Sequence, residues 1–379
     1  MNTIGNLLRE TGFAMLLQSG GWQNILMLCI AVFLLYLAIC RKCQPLFLCA
    51  AAFGMLLANL PGAELFHEIL FAGGSVQWNL LRGAPVTQEL LSSLAAAGVP
   101  QRVLASVHPG QVLSPGLVDF LYLGQALGVY PCLLLMGLGT RADFDALIKA
   151  PRRFLIGALS QLGVFAAAAL LALAGFSGAD AASAALAGGL CGPAALFAAS
   201  RLAPSLIAPI ALSICLCMAA APRLTPRFPG SVCKQPAFPA QRTAVSRKEQ
   251  LLFAVLVTIL VSLLLPAAGA LIGSLMFGAL LRACGVTGRL EAAIRQDLFS
   301  IVLIFLGLCL GLSSNGQSVL TLKTPLTLLG SFLGLCIGRL LRSALLRLFR
   351  LSAEAKAGLC PEDLICSILT AGFFLSVFS

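Results

Sequence analysis

The run Ala187-Gly188-Gly189-Leu190-Cys191-Gly192-Pro193-Ala194 lies inside an apolar segment, yet three glycines and a proline within six positions cannot continue a helix. A break is therefore forced there. Asp180 is placed to cap a short helix reaching about Ala187, and Pro193 to begin a second one running to about Arg201. Two half-helices then meet at a turn. In a membrane, broken backbone survives only where protein or a water-filled cavity satisfies the freed N–H and C=O groups, and transporters place ion sites at such breaks.

The solvent follows from composition. Hydrophobic residues make up 59% of the 379, charged residues 10%, and mean hydropathy is +0.97. Apolar runs of spanning length recur through the chain, which predicts an all-α polytopic integral membrane protein with about nine spans plus re-entrant broken helices. The 14 cysteines show neither a disulfide framework nor paired zinc-ligand spacing and read as reduced. The pair in Cys40-Arg41-Lys42-Cys43 stands alone at a helix end. The net charge of +11 comes from short basic loops between apolar segments, so it reads as topology and not as binding of nucleic acid or anionic lipid; membrane lipid is expected around the spans, and docking of a partner subunit or anionic lipid on the basic loop is a secondary reading. The first apolar run is a full span with no cleavage pattern after it, so no cleaved signal peptide is expected.

Five regions are expected. Residues 1–60 hold an amphipathic lead and two membrane segments, Trp22 to Cys40 and the shorter Pro45 to Leu60. Residues 61–116 form an external loop in which His67 and His108 are read as solvated. Residues 117–221 are a membrane half with the break at 187–194; Leu117 to Gly139 is read as one span, with Gly124 and Gly128 spaced for close helix approach. Residues 222–250 form a basic cytoplasmic loop. Residues 251–379 are a second membrane half, broken at Pro266 and Gly269 and carrying Gly330, Gly334 and Gly338 at packing intervals. This tracing puts about twenty of the 25 Lys and Arg inside, leaves the C-terminus outside, and leaves no carboxylate in mid-membrane.

Four stretches carry a family resemblance. LGTRADFDALIKAPRRFLIGALSQLGVFAA, AGGLCGPAALFAASRLAPSLIAPIAL, VSRKEQLLFAVLVTILVSLLLPAAGALIGSLMFGALLRACGV and IVLIFLGLCLG resemble the β subunit of biotin-dependent, sodium-translocating carboxylic-acid decarboxylases acting on oxaloacetate, methylmalonyl-CoA or glutaconyl-CoA. The resemblance implies an inverted-repeat, transporter-like fold in a bacterial inner membrane. It also implies a biotinylated α subunit and a small γ subunit as partners, carboxybiotin presented by a partner and not bound covalently here, and sodium as the exported ion. It places Gly188, Gly189, Gly192 and Pro193 at the sodium site, with Cys191 at a position the family fills with aspartate. Cys215 and Cys217 occupy the positions of the family's Tyr-x-Tyr, so Cys191 and Cys217 stand at the catalytic positions. Gly358-Leu359-Cys360 falls on the family's Gly-Pro-Asn, and Ser367 on a serine beyond it. Against the family pattern, about thirty to forty residues are absent between Leu351 and Ala355, a stretch that includes the second broken helix.

These replacements matter chemically. Sodium is a hard cation that takes oxygen ligands, whereas thiols prefer soft metals. Two readings from other classes therefore stay open: a non-catalytic paralogue that scaffolds or modulates the decarboxylase complex, and a secondary transporter of another solute.

Overall fold

The computed structural model describes residues 21–42, 44–60, 66–96, 99, 101–105, 107–149, 152–189, 191–224, 245–285, 288–321, 323–348 and 361–378. Leu190, Cys360, the apparent gap at 351–355 and most of the basic loop, residues 225–244, lie outside them. Within them the secondary structure is helical, apart from one isolated bridge between Pro85 and Val112. Among the described residues six helices are long and apolar enough to cross a membrane, a bent pair makes a seventh if it is one span, and Pro45–Ala58 and Pro204–Ala220 are shorter apolar helices. The chain is an integral membrane protein of the all-α class.

The first helix, α1 (Gly21–Ile39), turns Val32, Phe33 and Tyr36 outwards while Met27, Ala31 and Leu34 are fully buried. That division is what lipid on one side and protein on the other requires. It packs on α2 (Pro45–Ala58), which Pro45 starts and Asn59 ends. Asn59 also ties α2 to the later turn at Ser314: its Nδ2 donates to Met55 O (2.7 Å) and Ser314 O (2.9 Å), and its Oδ1 accepts from Gly316 N (2.7 Å).

Leu117 to Gly139 is not one straight span. It divides into α3 (Leu117–Ala126) and α4 (Val129–Arg141), bent by 63°. Gly128 adopts φ 80°, a left-handed conformation that ends a helix, and Gly124 lies under the Tyr130 ring. The Gly-x-x-x-Gly spacing thus serves a corner, correcting the helix-approach reading.

After α5 (Arg152–Ser160) and α6 (Leu162–Leu173), which meet at Gln161 within one long span, comes the forced break. Its halves are α7 (Gly178–Ala187) and α8 (Gly192–Leu202). The cap of α7 is Ser177, not Asp180: Ser177 Oγ accepts from Asp180 N at 3.2 Å, and Asp180 sits in the first turn, where its charge suits the helix dipole. Replacing Ser177 with alanine should cost about 1 kcal/mol, read as a lowered unfolding midpoint in detergent. An unchanged midpoint would show that packing alone holds the start of α7.

The remaining long helices among the described residues are α9 (Ile207–Leu224), α10 (Arg247–Leu264), α11 (Gly269–Cys284), α12 (Phe299–Ser313), α13 (Lys323–Leu348) and α14 (Pro361–Phe378). The turn Pro266–Ala268 separates α10 from α11 where the sequence demands it. Close packing is bought with glycine: a Cβ on Gly139 of α4 would meet Leu275 O of α11, and one on Gly278 would meet Met136 O. Likewise α13 lies on α6 through Gly334 and Gly338, with Gly163 against Gly338.

Residues 66–113 carry a small apolar core of their own, including Ile69, Leu70, Leu80, Val86, Leu94 and Val103. His108 is exposed as expected. His67 is not a solvated loop residue. Its ring Nδ1 lies 2.8 Å from Asp119 Oδ2 and its backbone N–H donates to Asp119 Oδ1 at 2.9 Å. Asp119 is fully buried, so this pair, with Gly116 N donating to Oδ2, pins the loop to the start of α3.

Candidate functional site

The break sits in the interior. Cys191 is 3% exposed, and every residue from Ala181 to Ala187 and from Ala194 to Ala199 is buried. Its position is set by α13: Ser331 Oγ donates to Ala184 O at 2.7 Å, and a Cβ on Gly188 would run into Ser331 O. Only glycine lets the end of α7 lie this close. On the other side, Gly192 faces Met218 and Ile214 of α9, whose side-chain tips lie 3.4 and 3.6 Å from where its Cβ would be. Gly189 lies towards Val164 of α6 at 3.9 Å by the same measure.

The sequence-predicted site residues are therefore partly gathered. Gly188, Gly189, Cys191, Gly192 and Pro193 form the break, and Cys215 and Cys217 are both buried on α9, which packs against α8 and α13. These neighbours offer thiols and hydrocarbon, and Ser331 Oγ is already engaged with Ala184 O and Thr327 O. A hard cation would find backbone carbonyls at the break but no carboxylate among the described neighbours named above. None of the described cysteines is bonded to another, and no cluster of metal-ligating side chains occurs among the described residues.

Oxygen enters one layer away. Ser367 of α14 is 5% exposed, and its Oγ accepts from Gln161 Nε2 at 3.1 Å. Gln161 lies at the junction of α5 and α6, one turn before Val164, and is itself 4% exposed. The seam between α5 and α14 is tight. A Cβ on Gly157 would lie 2.8 Å from Glu362 O and 3.1 Å from Cys366 Sγ. Along the same seam, one turn before Ser367, stand Glu362 and Asp363, both buried. Arg342 of α13 closes the cluster, with Nη2 donating to Glu362 Oε1 at 3.3 Å and Nη1 to Asp363 Oδ2.

The two acids stand in the first turn of the candidate span α14, buried at its end and not in mid-membrane. Charged residues in such surroundings are expensive and persist when paired, and here two acidic groups at the start of one helix meet an arginine from its neighbour. Gln161, Arg342, Glu362 and Asp363 were all missed in the sequence. A signal existed: Arg342 stands within an apolar helix, and Glu362-Asp363 follow Pro361 directly at the head of another. Opposite charges in two adjacent spans are candidates for pairing with each other.

A second polar feature lies at the far end of α8. A cavity of about 30 Å³ is lined by Phe71, Ser75, Tyr122, Gln125 and Ser200, among others, and both amide ends of Gln125 lack partners among the described residues. Tyr122 packs its ring tilted against Phe66 and Phe71 with ring centroids at 4.7 Å, which joins the loop core to α3.

Comparison with known proteins meets this geometry directly. The chain matches the model of the Na+-transporting oxaloacetate decarboxylase beta subunit over residues 23–351. It is 36% identical over 311 residues to the methylmalonyl-CoA decarboxylase subunit beta of Propionigenium modestum, covering 81% of this chain and 73% of that one. It is 34% identical over 357 residues to a probable oxaloacetate decarboxylase beta chain of Pasteurella multocida, covering 89% and 81%. To the oxaloacetate decarboxylase beta chain 2 of Salmonella typhimurium it is 31% identical over 376 residues, covering 94% and 86%. With a broken helix buried at its centre and a match running through nearly all of its membrane helices, the chain belongs to the family of Na+-transporting oxaloacetate decarboxylase beta subunits.

Proposed function

We propose that this chain is the membrane subunit of a sodium-translocating decarboxylase, in which loss of CO2 from carboxybiotin on a partner is coupled to sodium export. The observation that carries the reading is the buried break between α7 and α8, at the point where the sequence resembles the family's ion-site motif. Half-helix ends at such a break present backbone dipoles to an ion, the device by which discontinuous helices serve transport. In this reading Gly188, Gly189, Gly192 and Pro193 shape the site, Cys191 and Cys217 stand at its side-chain positions, and Ser367 lies beside it. Cys360 belongs to the same site by resemblance. The partners are a biotinylated α subunit and a small γ subunit, the membrane is a bacterial inner membrane, and the C-terminus lies outside. Carboxybiotin, when delivered, supplies the carboxyl group that is released as CO2; this chain supplies the ion path.

The test is substrate-driven uptake of radiolabelled sodium into proteoliposomes holding this chain with its α and γ partners. Uptake should occur and should require the biotinylated partner. Cys191→Asp, which returns an oxygen ligand to the break, should raise sodium affinity. A complex that assembles but moves no sodium in either form would favour the non-catalytic paralogue, a reading supported by the thiol that stands at position 191 of the break. Exchange of another solute without any biotin partner would favour a lone secondary transporter.

A further inference from the structure

The oxygens missing from the break are present one layer away, and two of them are bare. Asp363 Oδ1 and Gln161 Oε1 are both buried and have no hydrogen-bond partner among the described residues. Both are acceptors. A buried acceptor without a donor is rare in native structures, and two on one seam call for a group that takes up their lone pairs: a proton, a water or a cation. Their surroundings hold them in place. Gln161 is fixed through Nε2 to Ser367 Oγ, and Asp363 through Oδ2 to Arg342, so Gln161 presents its amide oxygen and Asp363 its second carboxylate oxygen. Asp363 and Ser367 are four residues apart on α14 and so share one helix face. That helix packs against α5 on one side and against α7 and α8, the two halves of the break, on the other.

We propose that Asp363 supplies, from α14, the carboxylate that the break lacks at Cys191. With Gln161 Oε1 and Ser367 Oγ it forms a site for a monovalent cation, sodium in the translocation reading on which this inference rests, and a proton competes for the same oxygens. A carboxylate, an amide oxygen and a hydroxyl are a hard-ligand set, unlike the thiols at the break. The titratable and charged groups on α14 and the packed elements include Glu362 and Cys366 on α14, Arg342 and Arg339 of α13, Arg153 at the start of α5, Asp180 in the first turn of α7 and Arg201 in the last turn of α8. Arg342 engages Glu362 and one oxygen of Asp363, which leaves Oδ1 available.

The experiment uses the full chain alone in detergent, and follows its unfolding midpoint as sodium chloride replaces choline chloride at several pH values. Sodium should raise the midpoint. Below the pKa of the site, the sodium concentration giving half the effect should climb about tenfold per pH unit, because a bound proton must first leave. Asp363→Asn should abolish the sodium response at every pH while Glu362 still pairs Arg342. Gln161→Met should weaken the response and keep its pH dependence, and Asp363→Glu should retain a response at altered affinity, which covers the case in which the asparagine variant fails to fold. A sodium response unchanged in both Asp363→Asn and Gln161→Met would place the cation elsewhere and overturn the inference, leaving sodium translocation intact. No sodium response in the native chain would overturn it as well, and the uptake assay with α and γ judges the translocation reading separately.

Discussion

Arg342→Met is expected to destabilise the protein by about 3–5 kcal/mol, because it removes the guanidinium that pairs with the buried Glu362 and Asp363. The loss does not measure the worth of the ion pair. Most of it is the penalty of two carboxylates stranded away from water, so neutralising them should recover much of what was lost. The triple variant Arg342→Met, Glu362→Gln, Asp363→Asn should therefore unfold closer to the native midpoint than Arg342→Met alone. Thermal unfolding in detergent reads both. If Arg342→Met unfolds at the native temperature, the three groups are solvated, and the seam between α13 and α14 is not the closed polar cluster described above.

Gly188→Ala should have the second large effect. The added Cβ meets the backbone carbonyl of Ser331, which cannot rotate away as a side chain would. The end of α7 must lift from α13, straining the bond from Ser331 Oγ to Ala184 O and shifting the break itself. Over-packing of this kind typically costs about 1–3 kcal/mol, and occasionally more. Sodium uptake by the reconstituted complex should fall along with stability, since the half-helix ends move. Gly273→Ala on α11 is the control: nothing lies within 4 Å of its Cβ position, so a helical glycine is exchanged for a better helix former at no steric expense. Equal behaviour of the two variants would contradict the close approach at Gly188.

The proposals for Asp363 and for Arg342 are linked. Arg342 both neutralises charge in the seam and occupies one Asp363 oxygen, so its removal should alter the sodium response as well as the midpoint. The Cys191 position and Asp363 then become separable. A gain of sodium affinity from Cys191→Asp in an Asp363→Asn background would show that a carboxylate at either place can serve the ion.

What could be read in the sequence was whatever the solvent and the backbone dictate locally. Runs of apolar residues must be helices in lipid, because every N–H and C=O needs a partner there. Gly188, Gly189, Gly192 and Pro193 must interrupt a helix wherever it packs, and the break fell at the expected residues. The turn at Pro266–Ala268 and the glycine seam of α13 follow from the same rules. The family, too, was legible, since motif and span order survive substitution at single positions. Other features depended on which surfaces meet. His67 gave no local sign that it would bond a buried Asp119, 52 residues away. Gly124 and Gly128 have the spacing of a helix contact, and only the left-handed Gly128 reveals a corner. Glu362 and Asp363 could equally have been wetted at a helix start; burial against Arg342 and α5 makes them part of the interior. Backbone requirements are set residue by residue and can be read from the chain, whereas the partner of a charge is chosen by packing between helices far apart in sequence, which only the tertiary structure decides.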